Sequence, residues 1–157
     1  MSDFDAISSS RTLHRLIYAS RQRIAPGDLD NALGEIIRAS IARNREVGLT
    51  GLLLVHDGWF VQALEGAAEA VMTTYRRILD DPRHDDLKLL SAGPADAREF
   101  GDWNMCARRL SAADDAILDA LAQREAFRPA TLSGAGALRL LKAVRGIQHR
   151  TTLDAIV

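Results

Sequence analysis

The chain has one cysteine, Cys106, so it can form neither an intrachain disulfide nor a multi-cysteine metal centre, and a reduced, cytoplasmic setting is the default expectation. It has no surplus of either charge. Twenty Lys and Arg stand against 21 Asp and Glu, which gives no global reason to expect a nucleic-acid partner. No apolar run approaches the ~18 residues that a membrane span needs. Residues 1–10 are polar and acidic, without the basic and then apolar order of a signal peptide. There is no G-x-G-x-x-G or phosphate-binding loop, no internal repeat and no low-complexity segment. No paired carboxylates and no His/Asp/nucleophile set stand at a spacing that favours hydrolysis. What remains is an average globular composition over 157 residues, 47% apolar and 26% charged, enough for one domain with its own core and a short appendage.

The hydrophobic pattern predicts a buried strand over residues 13–20. A long helix follows, entered through Pro26, Gly27 and Asp28, carrying Leu29, Leu33, Ile36, Ile37 and Ile41 in phase and ending at Gly48. Residues 50–56 and 59–64 read as two strands joined at Asp57-Gly58, a hairpin signal because a tight turn needs positive φ. A second helix is predicted over 67–79, stopped by Asp81-Pro82. A fourth strand is predicted over 87–91, before a break at Gly93-Pro94, and a fifth over 103–108. The order β-α-β-β-α-β-β is that of an α+β, ferredoxin-like sandwich with a five-stranded mixed sheet and two helices on one face. Beyond it, residues 112–122 and 137–148 read as two helices, interrupted at Pro129 and at 133–136. Two short helices cannot bury themselves alone, so they are expected to cover the opposite face of the sheet. The expected division is a polar extension (1–12), the sandwich (13–110) and a helical cap (111–157).

Polar residues on apolar faces are the informative ones. Asn44 lies on the buried stripe of the first helix, three residues after Ile41. Gln62 alternates with Phe60 and Leu64 on a strand whose two faces are both apolar. Tyr18 shares a face with Leu16 and Ser20. Each has a plain reading as a satisfied core residue. Together they present a phenol and two amides to one interior space, which suits a planar heterocycle with alternating donors and acceptors. Taken alone, Asp81, Arg83 and His84 read as a solvated turn, Cys106 as a small buried hydrophobe, and Arg139, Lys142, Arg145 and Arg150 as a basic, exposed helix face.

The sequence resembles the BLUF domains, blue-light sensors that use FAD. The resemblance runs from about Leu13 to Leu110. It rests on Leu16-Ile17-Tyr18-Ala19-Ser20, on Asn44 followed by Gly48-Leu49-Thr50-Gly51-Leu52-Leu53, and on Phe60-Val61-Gln62-Ala63-Leu64-Glu65-Gly66. Asp81-Pro82-Arg83-His84 and Phe100 through Trp103-Asn104-Met105 complete it. It implies FAD as cofactor, its ring held between the two helices. Asn44 would clamp the ring, and Gln62 would bridge Tyr18 to it. Arg43 would lie near its pyrimidine side, and Asp81, Arg83 and His84 near the ribityl chain or ring edge. Ser20, Trp103 and Met105 would sit close to the Gln62 network, with either Trp103 or Met105 beside the glutamine. Both fall on the predicted fifth strand, two residues apart and so on one face.

The resemblance further implies a switch and not an enzyme. Light would draw an electron and a proton from Tyr18, the Gln62 amide would rearrange, and a red-shifted state would result. Residues 111–157 are too few for a cyclase or phosphodiesterase, so output is expected to go to a separate protein, with a homo-oligomer and neither nucleic acid nor membrane as partner. The competing expectations are a light-insensitive ferredoxin-like ligand-binding or interaction module and, less well supported by the residues, a flavoenzyme.

Overall fold

A computed structural model describes residues 12–147. Expectations that fall on the polar extension up to residue 11, on Gln148 and on Arg150 lie outside them. Strand β1 (Leu13–Gln22) leads through a 3-10 turn (Pro26–Asp28) into helix α1 (Leu29–Val47). Gly48 ends α1 in the left-handed region at φ 72°, where a side chain would be strained. Strands β2 (Thr50–His56) and β3 (Trp59–Ala67) form the hairpin, with Asp57 and Gly58 both at positive φ as its two-residue turn. Helix α2 (Ala68–Leu79), strand β4 (His84–Pro94) and the short strand β5 (Ala107–Arg109) complete the sandwich.

The sheet order is β4-β1-β3-β2-β5. The β1–β3, β1–β4 and β2–β3 pairs are antiparallel and β2–β5 is parallel, so the sheet is mixed, as expected. Its faces bury two separate clusters. Leu16, Tyr18, Leu53, Phe60 and Leu64 meet Leu33 and Ile37 of α1 and Val71 of α2. On the other face Ile17, Ala19, Leu52, Leu54, Val61 and Ala63 meet the C-terminal segment, including Leu118, Phe127, Leu140, Leu141 and Val144. The C-terminal helices therefore cover the sheet opposite α1 and α2.

Several boundaries differ from expectation. Strand β4 is longer than residues 87–91 and runs through Gly93-Pro94. Pro is tolerated there because β4 is an edge strand. Strand β5 starts at Ala107 rather than at residue 103. Residues 103–106 are irregular, although the Gly51 and Leu53 amides donate to the Trp103 and Cys106 carbonyls at 3.1 and 2.8 Å. Irregular backbone loses the period-2 alternation, so Trp103 and Met105 do not share a face. The segment read as one helix over 112–122 is a 3-10 turn (Ala112–Asp114) followed by the short helix α3 (Asp115–Asp119). Residues 133–136 do not interrupt a helix. Ser133 caps helix α4 (Gly134–Arg145) by accepting from the Gly136 amide at 3.0 Å, a short-range signal that outweighs two glycines in the first turn.

Gly51 on β2 stands where no side chain fits against β3. A Cβ there would stand 2.2 Å from the Ala63 carbonyl oxygen and 2.9 Å from Met105 Cε. Gly51→Ala is therefore expected to destabilise the fold by about 3 kcal/mol or more, because backbone cannot yield as a side-chain tip can. Urea unfolding measures this, and a midpoint equal to the parent's would contradict the packing described.

Candidate functional site

The site lies where α1 and α2 pass over β1 and β3. Tyr18 and Gln62 stand directly opposite each other in the β1–β3 ladder, on the face that the helices cover. Both are buried, at 3% and 5% exposure, so each polar atom needs a partner inside. The Tyr18 hydroxyl donates to Gln62 Oε1, and the other end of the amide donates from Nε2 to Met105 Sδ at 3.4 Å. One glutamine thus bridges a phenol and a thioether. Burial pushes the Tyr18 phenol well above its ordinary pKa, with the Asp81 charge and Tyr75 adding to the rise. It therefore keeps its proton, and its donor role, at any ordinary pH.

Asn44 is 2% exposed near the end of α1, and its Nδ2 donates to the Asn104 carbonyl at 2.8 Å. Asn104 in turn donates to the Leu49 carbonyl at 3.0 Å, which pins the irregular segment before β5 to the end of α1. His84 Nε2 lies 2.7 Å from the Ile78 carbonyl, which only accepts, so this nitrogen carries the hydrogen. Nδ1 then accepts from the Ser20 hydroxyl at 2.7 Å in the neutral ring. Asp81 and Arg83 are not a loose solvated turn. They form a bidentate ion pair, Nη2 to Oδ2 at 2.6 Å and Nε to Oδ1 at 2.9 Å, which holds the Asp81 carboxyl below its ordinary pKa.

A cleft between the helices is lined by Tyr18, Gln62, Asn44, Met105, Arg43 and the Asp81–Arg83–His84 group. Ser20 reaches it only through His84. Trp103 departs from the expected set. It packs with the opposite-face cluster, its ring 5.0 Å from the Arg108 guanidinium carbon, and Met105 is the residue beside Gln62. Ser40, Thr74 and Arg77 also line the cleft and were not anticipated. Their signal is helical spacing, since Ser40 precedes Asn44 by four residues and Thr74 follows Ala70 by four.

A slot with apolar side chains, two amides, a phenol and several cationic or hydroxyl donors matches a flat ring that carries alternating acceptors and N–H groups. The family model for sensors of blue-light using FAD, BLUF, matches residues 13–106. The chain belongs to the BLUF family. A photoactivated adenylate cyclase subunit beta of Euglena gracilis is 34% identical over 98 residues. That match takes in 62% of this chain but spans only 11% of the relative's length. Among solved structures, BlsA in its photo-activated state superposes with a TM-score of 0.80 at 26% identity, over 89% of this chain and 99% of that one. BlrB, a BLUF protein in its dark state, gives 0.67 at 33% identity, over 87% and 96%. FAD is the cofactor that defines the family, and the residues lining this BLUF cleft suit it.

Proposed function

We propose that this chain is a light switch. Tyr18 and Gln62 are its moving parts, and its output goes to a separate protein through the C-terminal helices. The observation that carries this reading is the buried Tyr18–Gln62–Met105 line, in which one rotatable amide is bonded at both ends on the wall of the cleft between α1 and α2. Bound FAD supplies the absorption of blue light and, when excited, a strong oxidising power. The rest falls to the protein. Tyr18 is the oxidisable side chain whose hydroxyl hydrogen already points at an acceptor, Gln62 Oε1. Tyr18 would lose an electron to the excited FAD and that proton to the amide. Gln62 would turn or tautomerise, exchanging the group it shows to Tyr18 with the one it shows to Met105, and the electron and proton would return to Tyr18, so that no net oxidation remains. Asn44 fixes the ring's polar edge, Arg43 lies along it, and His84 with Ser20 and the Asp81–Arg83 pair close the cleft.

Met105, bonded to the amide at the wall of the cleft, is the first group to register the change. It heads the segment leading into β5, and that strand runs towards residues 111–147 on the far side of the sheet. The described residues beyond 110 pack on the sheet and support a cap and docking surface. No described helix is long and apolar enough to cross a membrane. The nearest competing reading is a flavin-binding module without photochemistry.

Two experiments test the proposal. Asn44→Ala is expected to weaken FAD binding by roughly tenfold or more, since about 0.5–1.5 kcal/mol attaches to each lost hydrogen bond and a hole is left as well. Unchanged affinity by fluorescence titration would make Asn44 a plain core amide. Hydrogen exchange in the dark and under blue light is expected to differ in residues 112–145. Identical exchange there, with a response elsewhere, would place the output on another surface.

A further inference from the structure

Among the described residues four large apolar side chains are exposed, and three of them lie on the side of α2 that faces away from α1. They are Met72, Leu79 and Leu89, at 38%, 50% and 45% exposure. Helical spacing sorts α2 into distinct sides. Val71 points into the core, and Ala70, Thr73, Thr74 and Arg77 turn towards α1. Met72, Tyr75 and Leu79, at i, i+3 and i+7, are left on the opposite flank. The floor beside that flank is β4. Helix α2 packs on β3 and β1, and β4 lies one strand further out. Leu89 stands opposite Tyr18 in the β1–β4 ladder and so shares the face that the helices cover, and the Tyr18 ring is 6.2 Å from that of Tyr75. Leu87 joins the same face. The result is an open apolar ledge, with the flank of a helix as its wall and the outer strand as its floor.

The rim of the ledge is charged. Glu69, Arg76 and Asp80 run along the outer side of α2, seven and then four residues apart, and all three are exposed. Among the described residues none of the three makes an ion pair. The free edge of β4 does not invite a further strand. Asp86 interrupts it at φ 51°, where the β1–β4 register shifts, and Pro94 has no donor to offer. A partner must therefore lie on the ledge as a packed surface.

We infer that the ledge is the interface between two copies of this chain, packed about a two-fold axis with their α2 helices antiparallel. The second copy brings what the ledge lacks, a helix flank with apolar side chains at matching spacing. The charges favour a copy over a partner of another sequence. Arg76 stands between two carboxylates on its own helix, so reversing the direction of a second α2 sets each Arg76 against Glu69 or Asp80 of the other copy. The rim is thus complementary to itself, which an isologous contact requires. Met72, Leu79 and Leu89 supply the binding energy, and the charges supply the register, since exposed ion pairs are individually weak. The contact needs no flavin, so it stands apart from the light-switch reading.

Sedimentation velocity of the full chain, from low to high micromolar concentration, is expected to show a two-copy species that grows with concentration. Leu79→Ser and Leu89→Ser, both at exposed positions, should each weaken it by roughly tenfold or more, because a two-fold contact loses the side chain twice. Arg76→Glu makes the rim wholly acidic, and Glu69→Lys with Asp80→Lys makes it wholly basic. Each should associate more weakly than the parent. An equimolar mixture of the two should regain association, a rescue that only folded chains paired through this rim can give. A parent that stays single-copy at every concentration would overturn the inference and leave the ledge to a partner of another sequence. A two-copy species untouched by Leu79→Ser and Leu89→Ser, or a mixture no tighter than its components, would overturn it as well.

Discussion

Tyr18→Phe is expected to bind FAD normally and to lose the light-induced red shift altogether. The substitution keeps the ring that packs in the α1/α2 cluster near Tyr75 and His84. It removes only the hydroxyl, and with it the one donor bonded to Gln62 Oε1. A phenylalanine has no acidic hydrogen to give and is far harder to oxidise, so neither half of the proposed transfer remains. The folded state should change little, since the lost bond is worth about 1 kcal/mol net and Gln62 can turn to another partner. Gln62→Leu should give the same spectral result for the complementary reason. Tyr18 stays oxidisable, but no amide is present to take the proton and turn. A steady-state red shift of normal size in either variant would remove the switch from these residues.

The largest effect on stability is expected at Glu65. Its side chain is fully buried on β3, on the face away from Tyr18. Its carboxylate accepts from Arg15 Nε at 2.9 Å, from the Glu99 and Phe100 backbone amides at 2.7 and 2.9 Å, and from Thr50 Oγ1 at 3.3 Å. Arg98 reinforces the same junction, donating from Nη1 to the Glu65 carbonyl at 3.0 Å and from Nη2 to the Gly48 carbonyl at 2.8 Å. Glu65 thereby fastens the segment between β4 and β5, the stretch that goes on to place Met105 beside Gln62. Glu65→Ala strands a partly buried arginine and two backbone donors, and an opened pair of this kind costs about 3–5 kcal/mol. Glu65→Gln, which keeps one good acceptor, should cost clearly less. Thermal unfolding of both variants checks this, and an alanine variant as stable as the parent would contradict the hub.

The two halves of this molecule were unequally legible in the sequence. Tyr18, Asn44 and Gln62 stood out because each is polar at a position whose periodicity demands burial, and the structure buries all three. The helix-capping glycine and the Asp57-Gly58 turn were equally plain, since positive φ restricts residue choice. Met105 against Trp103 was not decidable. The choice depends on where the backbone stops alternating, and that is set by long-range bonds from Asn44, Asn104 and Glu65 rather than by neighbouring residues. The start of helix α4 is hard to read in the sequence because two glycines in its first turn mask the local Ser133 cap. Glu65 looked like one acid among 21, since nothing local marks a carboxylate that four donors from distant segments will surround.

The most direct test of the account is the difference between the absorbance spectra of the FAD-loaded full chain under blue light and in the dark. The expected result is a small red shift of the flavin bands with the oxidised band shape retained, reversing in darkness and absent from Tyr18→Phe. FAD bound in the cleft with identical spectra in light and dark, or bands that bleach without shifting, would contradict the claim that the Tyr18–Gln62 pair is a light switch.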